Sequence, residues 1–220
     1  YEILRCLVGS EMCIRDSCEI PGSLFQIGES AKKFGIRSCL CYEVSDRDGE
    51  EKCLQAIKEN ADFITYCQKQ NDPMLAAMFG GHALFTISDK TFDRMVEANN
   101  GRTGYHIHVS EGMNDVYDSL QNYGRRPVQR LQDHGILGEK TILGHCIHVN
   151  TAEMDIIKET GTMVVNNPES NMGNAIGICP VPSIFICPSL YDSIFPVITS
   201  GLDEIFFIFP STTLISATPV

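Results

Sequence analysis

The chain has 220 residues, enough for one large domain, and sets 17 Lys and Arg against 28 Asp and Glu for a formal net charge of −11. A surface that acidic repels nucleic-acid phosphates and anionic membranes, which leaves small-molecule or metal chemistry as the expectation. Its ten cysteines are scattered without a CxxC pair, which argues against a thiolate zinc knuckle or a thioredoxin-type redox site and reads as reduced thiols in a cytoplasmic protein.

Residues 1–17, "YEILRCLVGSEMCIRDS", show neither a clear period nor turn punctuation and are read as a non-native, adapter-like segment outside the fold. From Gly22 onward, amphipathic and strand-like runs alternate, the signature of βα units on a parallel sheet. The first helix, "GSLFQIGESAKKFG", has apolar positions at Leu24, Ile27 and Ala31 and stops at Gly35. "IRSCLCYEV" is the first strand. "DGEEKCLQAIKENADFITYCQKQ" follows as a helix, with Leu54, Ile57, Ala61 and Ile64 at helical spacing, ending before Asn71, Asp72 and Pro73.

"LAAMFGGHALFTIS" reads as one strand, "SDKTFDRMVEANNG" as a helix capped by Ser88 or Asp89, and "TGYHIHVS" as the next strand. Two short helices, Asp115 to Tyr123 and Pro127 to His134, lead to the strand "KTILGHCI". Thr151 caps "AEMDIIKETG", and "TMVVNN" is the last strand, followed by a turn-rich loop through Asn166, Asn167, Pro168, Ser170 and Asn171. Five strands at about thirty residues per unit fit part of a TIM (β/α)8 barrel. Beyond Thr160 there is no Lys or Arg, and six of the ten prolines fall between Pro180 and Pro219. Residues 179–220 therefore read as a low-charge, Pro-rich tail in which no stretch reaches spanning length without a proline or an acid. That leaves residues 18–178 as the domain.

On a strand, residues two apart point the same way, so His106 and His108 share a face directed into the barrel while Ile107 and Val109 turn to the helices. Glu111 falls just past the strand end, on the rim where parallel barrels carry their active sites. The next strand ends in "LGHCIH" and brings His145 to the same rim. An imidazole ligand, a carboxylate to move protons and a second imidazole make a metal-hydrolase arrangement.

Taken in order, "CLCYEVSDRDGEE", "GGHALFTISD", "HIHVSE", "LGHCIHVN" and "NNPESNMGNAIG" resemble the amidohydrolase superfamily, in its chlorohydrolase and deaminase branch and within that the SsnA-type aminohydrolases. The resemblance runs from about Gly22 to Gly177. It implies that His108 is the metal ligand from the family's fifth strand and Glu111 the general acid and base. His145, from the sixth, would contact the attacking water or the substrate, and His82, from the fourth, would line the substrate pocket. In the Asn-rich turn after the last strand, loop-shaping is the default role, with Asn171 the candidate for ordering the site on the substrate side. One divalent metal is implied, zinc or iron, with a small amino-substituted heterocycle as substrate and hydrolytic deamination as reaction.

The family also takes an HxH pair from its first strand and an Asp from its eighth, and neither strand is seen here. "HIH" has the spacing of that pair but follows several βα units and leads into HxxE, so it is not assigned to it, and neither Asp192 nor Asp203 is assigned as the missing Asp. The chain is thus expected to be an inactive fragment of the enzyme. The alternative from another class is a non-catalytic α/β binding domain with structural histidines. Glu43 ends a strand on the same rim, with helix capping or solvation its simpler role. Asp46, Asp48, Glu50 and Glu51 read as the charged start of a helix.

Overall fold

The computed structural model describes residues 22–180. The adapter-like segment 1–17 and the tail from residue 181 onward, with Asp192 and Asp203, lie outside the described residues. Within them the order is α1 (Ser23–Lys33), β1 (Ser38–Leu40), α2 (Glu50–Gln70), β2 (Leu75–Ala77), β3 (Phe79–Ala83), α3 (Asp89–Asn99), β4 (Tyr105–Val109), α4 (Met113–Tyr123), α5 (Pro127–Asp133), β5 (Ile142–His145), α6 (Thr151–Thr160), β6 (Met163–Val165) and α7 (Pro168–Gly173).

Every strand pair is parallel, β1 with β2 and then β3-β4-β5-β6 in chain order. Parallel neighbours need long crossovers, which the helices supply. The alternating strand and helix pattern is therefore as expected, with one difference. The single strand read over residues 75–88 is two short strands followed by a turn of 3-10 helix at Leu84–Thr86, because the backbone changes partners at Met78, whose N–H donates to Leu40 O at 3.0 Å. Upstream it pairs with β1; downstream it pairs with β4 and keeps one parallel bridge, Val44 with Gly81, to the segment after β1.

Asn60, fully buried on α2, splices that break. Its Oδ1 accepts from the backbone N–H of Tyr42 (2.9 Å) and of Gly80 (3.1 Å), while its Nδ2 donates to Tyr42 O (2.8 Å). One amide thus satisfies backbone groups of β3 and of the segment after β1. The buried face of α2 is Cys53, Ala56, Ile57, Asn60, Phe63, Ile64 and Cys67. Leu54, expected on it, is exposed, since the apolar stripe passes one residue earlier and carries a polar Asn at its centre.

Ile107, Val109, Leu143 and Val164 belong to the core shared with Phe92, Met95, Val128, Leu131 and Ile157 of the helices. That apolar layer forces the alternate residues of each strand onto the opposite face. Arg130 of α5 is buried beside this layer, its guanidinium donating to Asp89 Oδ1 (2.6 Å) and Ile87 O (2.5 Å) and lying 3.5 Å from the Tyr123 ring centre.

Helix ends follow the expected chemistry with three corrections. Ser88 is the N-cap of α3, accepting from Thr91 N–H, but Asn150 rather than Thr151 caps α6, in a reciprocal box with Glu153. The loop expected after β6 closes into the short helix α7, begun by Pro168, whose missing N–H costs nothing at a first helical position. Glu50 and Glu51 open α2 as expected. Asp46 instead accepts from Ser88 N–H (2.6 Å) and the Thr91 hydroxyl (2.7 Å), tying this segment to the start of α3. No disulfide joins the six cysteines among the described residues, and none of the described helices is long and apolar enough to cross a membrane.

Candidate metal centre

The centre is built at the ends of β4 and β5. His106 pairs in register with Ile142, His108 with Gly144 and Val109 with His145. His106 and His108 take the face opposite Ile107 and Val109, their rings 5.6 Å apart and nearly parallel. His106 Nδ1 lies 4.0 Å from Cys41 Sγ. Burial, with a smaller contribution from His145, depresses the His106 imidazole to about 4, so it is neutral at physiological pH.

Strict alternation would send His145 the other way. It is level with Val109 and two residues after Leu143, both of which face the helices. Instead its φ is +67°, followed by +48° at Cys146. Rotation into the left-handed region turns the imidazole to the face that His108 occupies. His145 Nε2 then lies 2.9 Å from His108 Nδ1 and 3.7 Å from Glu111 Oε1. The side chain that would have filled this space is absent: a Cβ on Gly144 would sit 3.3 Å from the His108 ring.

Glu111 is brought round by a second left-handed residue, Ser110, at φ +51°. The Ser110 N–H donates to the Asp115 carboxylate in the first turn of α4. Asp115 is 2% exposed, and burial lifts its carboxyl to about 7, against the pull of that N–H. Positive φ at three non-glycine residues on two adjacent strand ends is the kind of strain that marks functional sites.

Among the described residues, His108, Glu111 and His145 form the group whose ligand atoms all fall within 4.8 Å of one another. Ligand distances of about 2.0–2.2 Å in a tetrahedral shell put donor atoms roughly 3.3 Å apart, between the two separations seen here. Two neutral-capable imidazoles and a carboxylate are also the donor types a borderline divalent ion prefers. The residues present therefore fit a divalent metal.

Asn171 stands behind His145, 2% exposed, its Oδ1 2.7 Å from His145 Nδ1. Its Nδ2 donates to Asn166 Oδ1 at 3.0 Å, and Asn167 Nδ2 lies 3.4 Å from His145 Nε2. His82, at the end of β3, directs Nδ1 at Thr86 Oγ1 (3.0 Å) and Nε2 at Glu43 Oε1 (2.9 Å). Glu43 therefore caps no helix; it is 17% exposed and also approaches Arg47 at 3.7 Å. His134 closes α5 between Asp89 and Asp93, and His148 contributes its carbonyl to Arg126. Asn166 and Asn167 are additions that the sequence reading treated only as loop-shaping, and the run "NNPESN" was the signal that held them.

Residues 17–184 match the model of the amidohydrolase family. The chain is 34% identical over 159 residues to a 5'-deoxyadenosine deaminase of Methanobrevibacter smithii, covering 72% of this chain and 37% of that protein. It is 30% identical to a 5-methylthioadenosine/S-adenosylhomocysteine deaminase of Thermoanaerobacter pseudethanolicus, covering 74% and 38%. The chain thus spans under two fifths of these relatives' length. Among solved structures, an adenosine deaminase from Xanthomonas campestris with bound zinc superposes with a TM-score of 0.63 at 28% identity, covering 71% of this chain and 36% of that one. The guanine deaminase of C. acetobutylicum, at 18% identity and a TM-score of 0.67 over 76% of this chain and 41% of that one, shares the fold. The described sheet and helices are accordingly part of a (β/α)8 barrel.

Proposed function

The chain belongs to the amidohydrolase family, and on that premise we propose that the whole protein hydrolyses a carbon–nitrogen bond of an amino-substituted heterocycle, releasing ammonia. The convergence of His108, Glu111 and His145 supports this reading most strongly. His108 would hold the divalent metal, with His145 beside it. Zinc is the metal we propose, on the donor set and on the zinc in the similar adenosine deaminase. Such an ion polarises what it touches and makes water easier to deprotonate near neutral pH.

Glu111, with 31% of its side chain exposed, can reach solvent and substrate alike. In the proposed reaction it takes a proton from the attacking water as the C–O bond forms at the amidine-like carbon. It then delivers that proton to the ring nitrogen or the departing amine as the C–N bond breaks. His145 orients the water by accepting its hydrogen bond, and His82, held by Thr86 and Glu43, lines the pocket wall. The names of the similar proteins make 6-aminopurine nucleosides such as 5'-deoxyadenosine and 5'-methylthioadenosine the first substrates to try.

The test is ammonia release from those nucleosides by the whole protein and by its Glu111→Gln variant, with metal content measured on both. The expected outcome is a loss of turnover of about 100-fold or more with metal retained. Undiminished turnover in the variant removes Glu111 from the reaction. Failure to retain zinc in the unsubstituted protein removes the metal, and favours the histidines being structural.

A further inference from the structure

We propose that Asn171 is a positioning residue that locks His145 in the Nδ1-protonated tautomer, so that Nε2 offers a lone pair rather than an N–H to the space shared with His108 and Glu111. This deepens, and rests on, the metal-site reading above. It assigns the ring the electronic form of a ligand or proton acceptor.

A neutral imidazole has one N–H and one lone pair, and the partner of one nitrogen fixes the role of the other. His145 Nδ1 faces Asn171 Oδ1 at 2.7 Å, and an amide oxygen can only accept, so Nδ1 donates. The amide of Asn171 is held in that sense because its Nδ2 donates to Asn166 Oδ1 at 3.0 Å. On the other side of the ring Nε2 has two neighbours, His108 Nδ1 at 2.9 Å, which donates to it in this tautomer when no metal is bound, and Asn167 Nδ2 at 3.4 Å, a second donor facing the lone pair. The opposite tautomer requires the amides of Asn166, Asn167 and Asn171 all to be turned over together.

The backbone supports the same arrangement. Asn171 N–H donates to Asn167 O at 2.9 Å and its carbonyl accepts from Ile176 N–H at 3.1 Å. The side chain is therefore pinned at both ends of its own residue. His145, for its part, is fixed by the left-handed φ of +67°. Free histidine side chains favour the Nε2–H form, so the tautomer assigned here is one that the protein has to impose.

The experiment is long-range 1H–15N NMR of the histidine rings of the 220-residue chain, with His145 assigned by His145→Gln. In the unsubstituted chain and in Asn171→Asp, which keeps an acceptor, His145 should carry its proton on Nδ1. In Asn171→Leu, which has the size but no acceptor, the Nε2–H form should become the major one. A proton on Nε2 in the unsubstituted chain, or an unchanged tautomer in Asn171→Leu, overturns the proposal. Should the leucine variant fail to fold, the unsubstituted and aspartate spectra still decide it. Zn2+ added to the whole protein separates the two readings: if neither the His108 nor the His145 resonances move there, the metal assignment falls, whereas the tautomer alone decides the role of Asn171. With zinc bound, Asn171→Leu should weaken its affinity by about 10- to 100-fold.

Discussion

His145 Nε2 lies 2.9 Å from His108 Nδ1, although the two residues are 37 positions apart and the ladder sets His145 level with Val109 rather than with His108. The contact exists because His145 leaves the strand conformation and because its neighbour Gly144 has no side chain. A methyl group at 144 would press on the His108 ring at 3.3 Å. Gly144→Ala should therefore displace that ring by a few tenths of an ångström at a fold cost of about 1 kcal/mol, while zinc affinity falls roughly tenfold or more. Calorimetric zinc titration set beside urea melts checks this; equal affinity in both proteins would mean the two rings do not act on a common ion.

Gly104→Ala should be far more damaging. Its Cβ would lie 1.7 Å from Lys140 O, inside the backbone of the approach to β5. Rigid peptide cannot yield as a side-chain end does, and the expected loss is about 3 kcal/mol or more. A urea midpoint unchanged from that of the unsubstituted chain would show that these segments do not pack this closely.

Asp115 gives stability a pH dependence of definite sign. Its folded carboxyl is raised to about 7 by burial, above the usual 3.8, so between those values the folded chain holds a proton that the unfolded chain releases. The corresponding stability is complete below about 4 and is lost as the pH climbs through about 7. Asp115→Asn keeps an oxygen for the Ser110 N–H and removes this slope, so its advantage over the unsubstituted chain should grow from pH 5 to pH 8. Denaturant melts at both pH values test it, and an advantage that shrinks with rising pH contradicts the assignment.

Two arginines should differ sharply. Arg130 is 1% exposed, donates to Asp89 and to the Ile87 carbonyl and stacks on Tyr123. Arg130→Ala should cost about 3 kcal/mol or more, since it empties a buried site and strands a buried carbonyl. The Arg125 and Asp133 pair is half exposed at both ends, and Asp133→Ala should change stability by about 0.5 kcal/mol or less. Chemical denaturation of both variants makes the comparison; similar losses would mean that burial does not decide between them.

What the sequence disclosed follows from which physical signals are periodic. His108 and Glu111 could be read directly, because a strand alternates with period two and the residue three past its last inward position falls on the rim. Five strand-bearing units could likewise be counted from their alternation with helices. The break at Met78 could not, since the side chain that bonds across it, Asn60, comes from a helix and reaches Tyr42 and Gly80. His145 was assigned to the right rim by its strand-end position, yet the dihedral that turns its ring inward belongs to a residue type that rarely adopts it, and no pattern announces that. Asn171 was visible only as part of a loop rich in Asn. Its contact with His145 depends on that loop closing into a helical turn.

The left-handed backbone at position 145 has an evolutionary corollary. Glycine enters that region freely, whereas an L-residue held there costs on the order of 1–3 kcal/mol. A lineage answering only to foldability would drift toward glycine at this site, and the imidazole would be the first thing surrendered. On the role proposed for His145, position 145 is a place where durability and chemistry pull in opposite directions, and where stabilised descendants of this barrel would be expected to lose that imidazole before their shape.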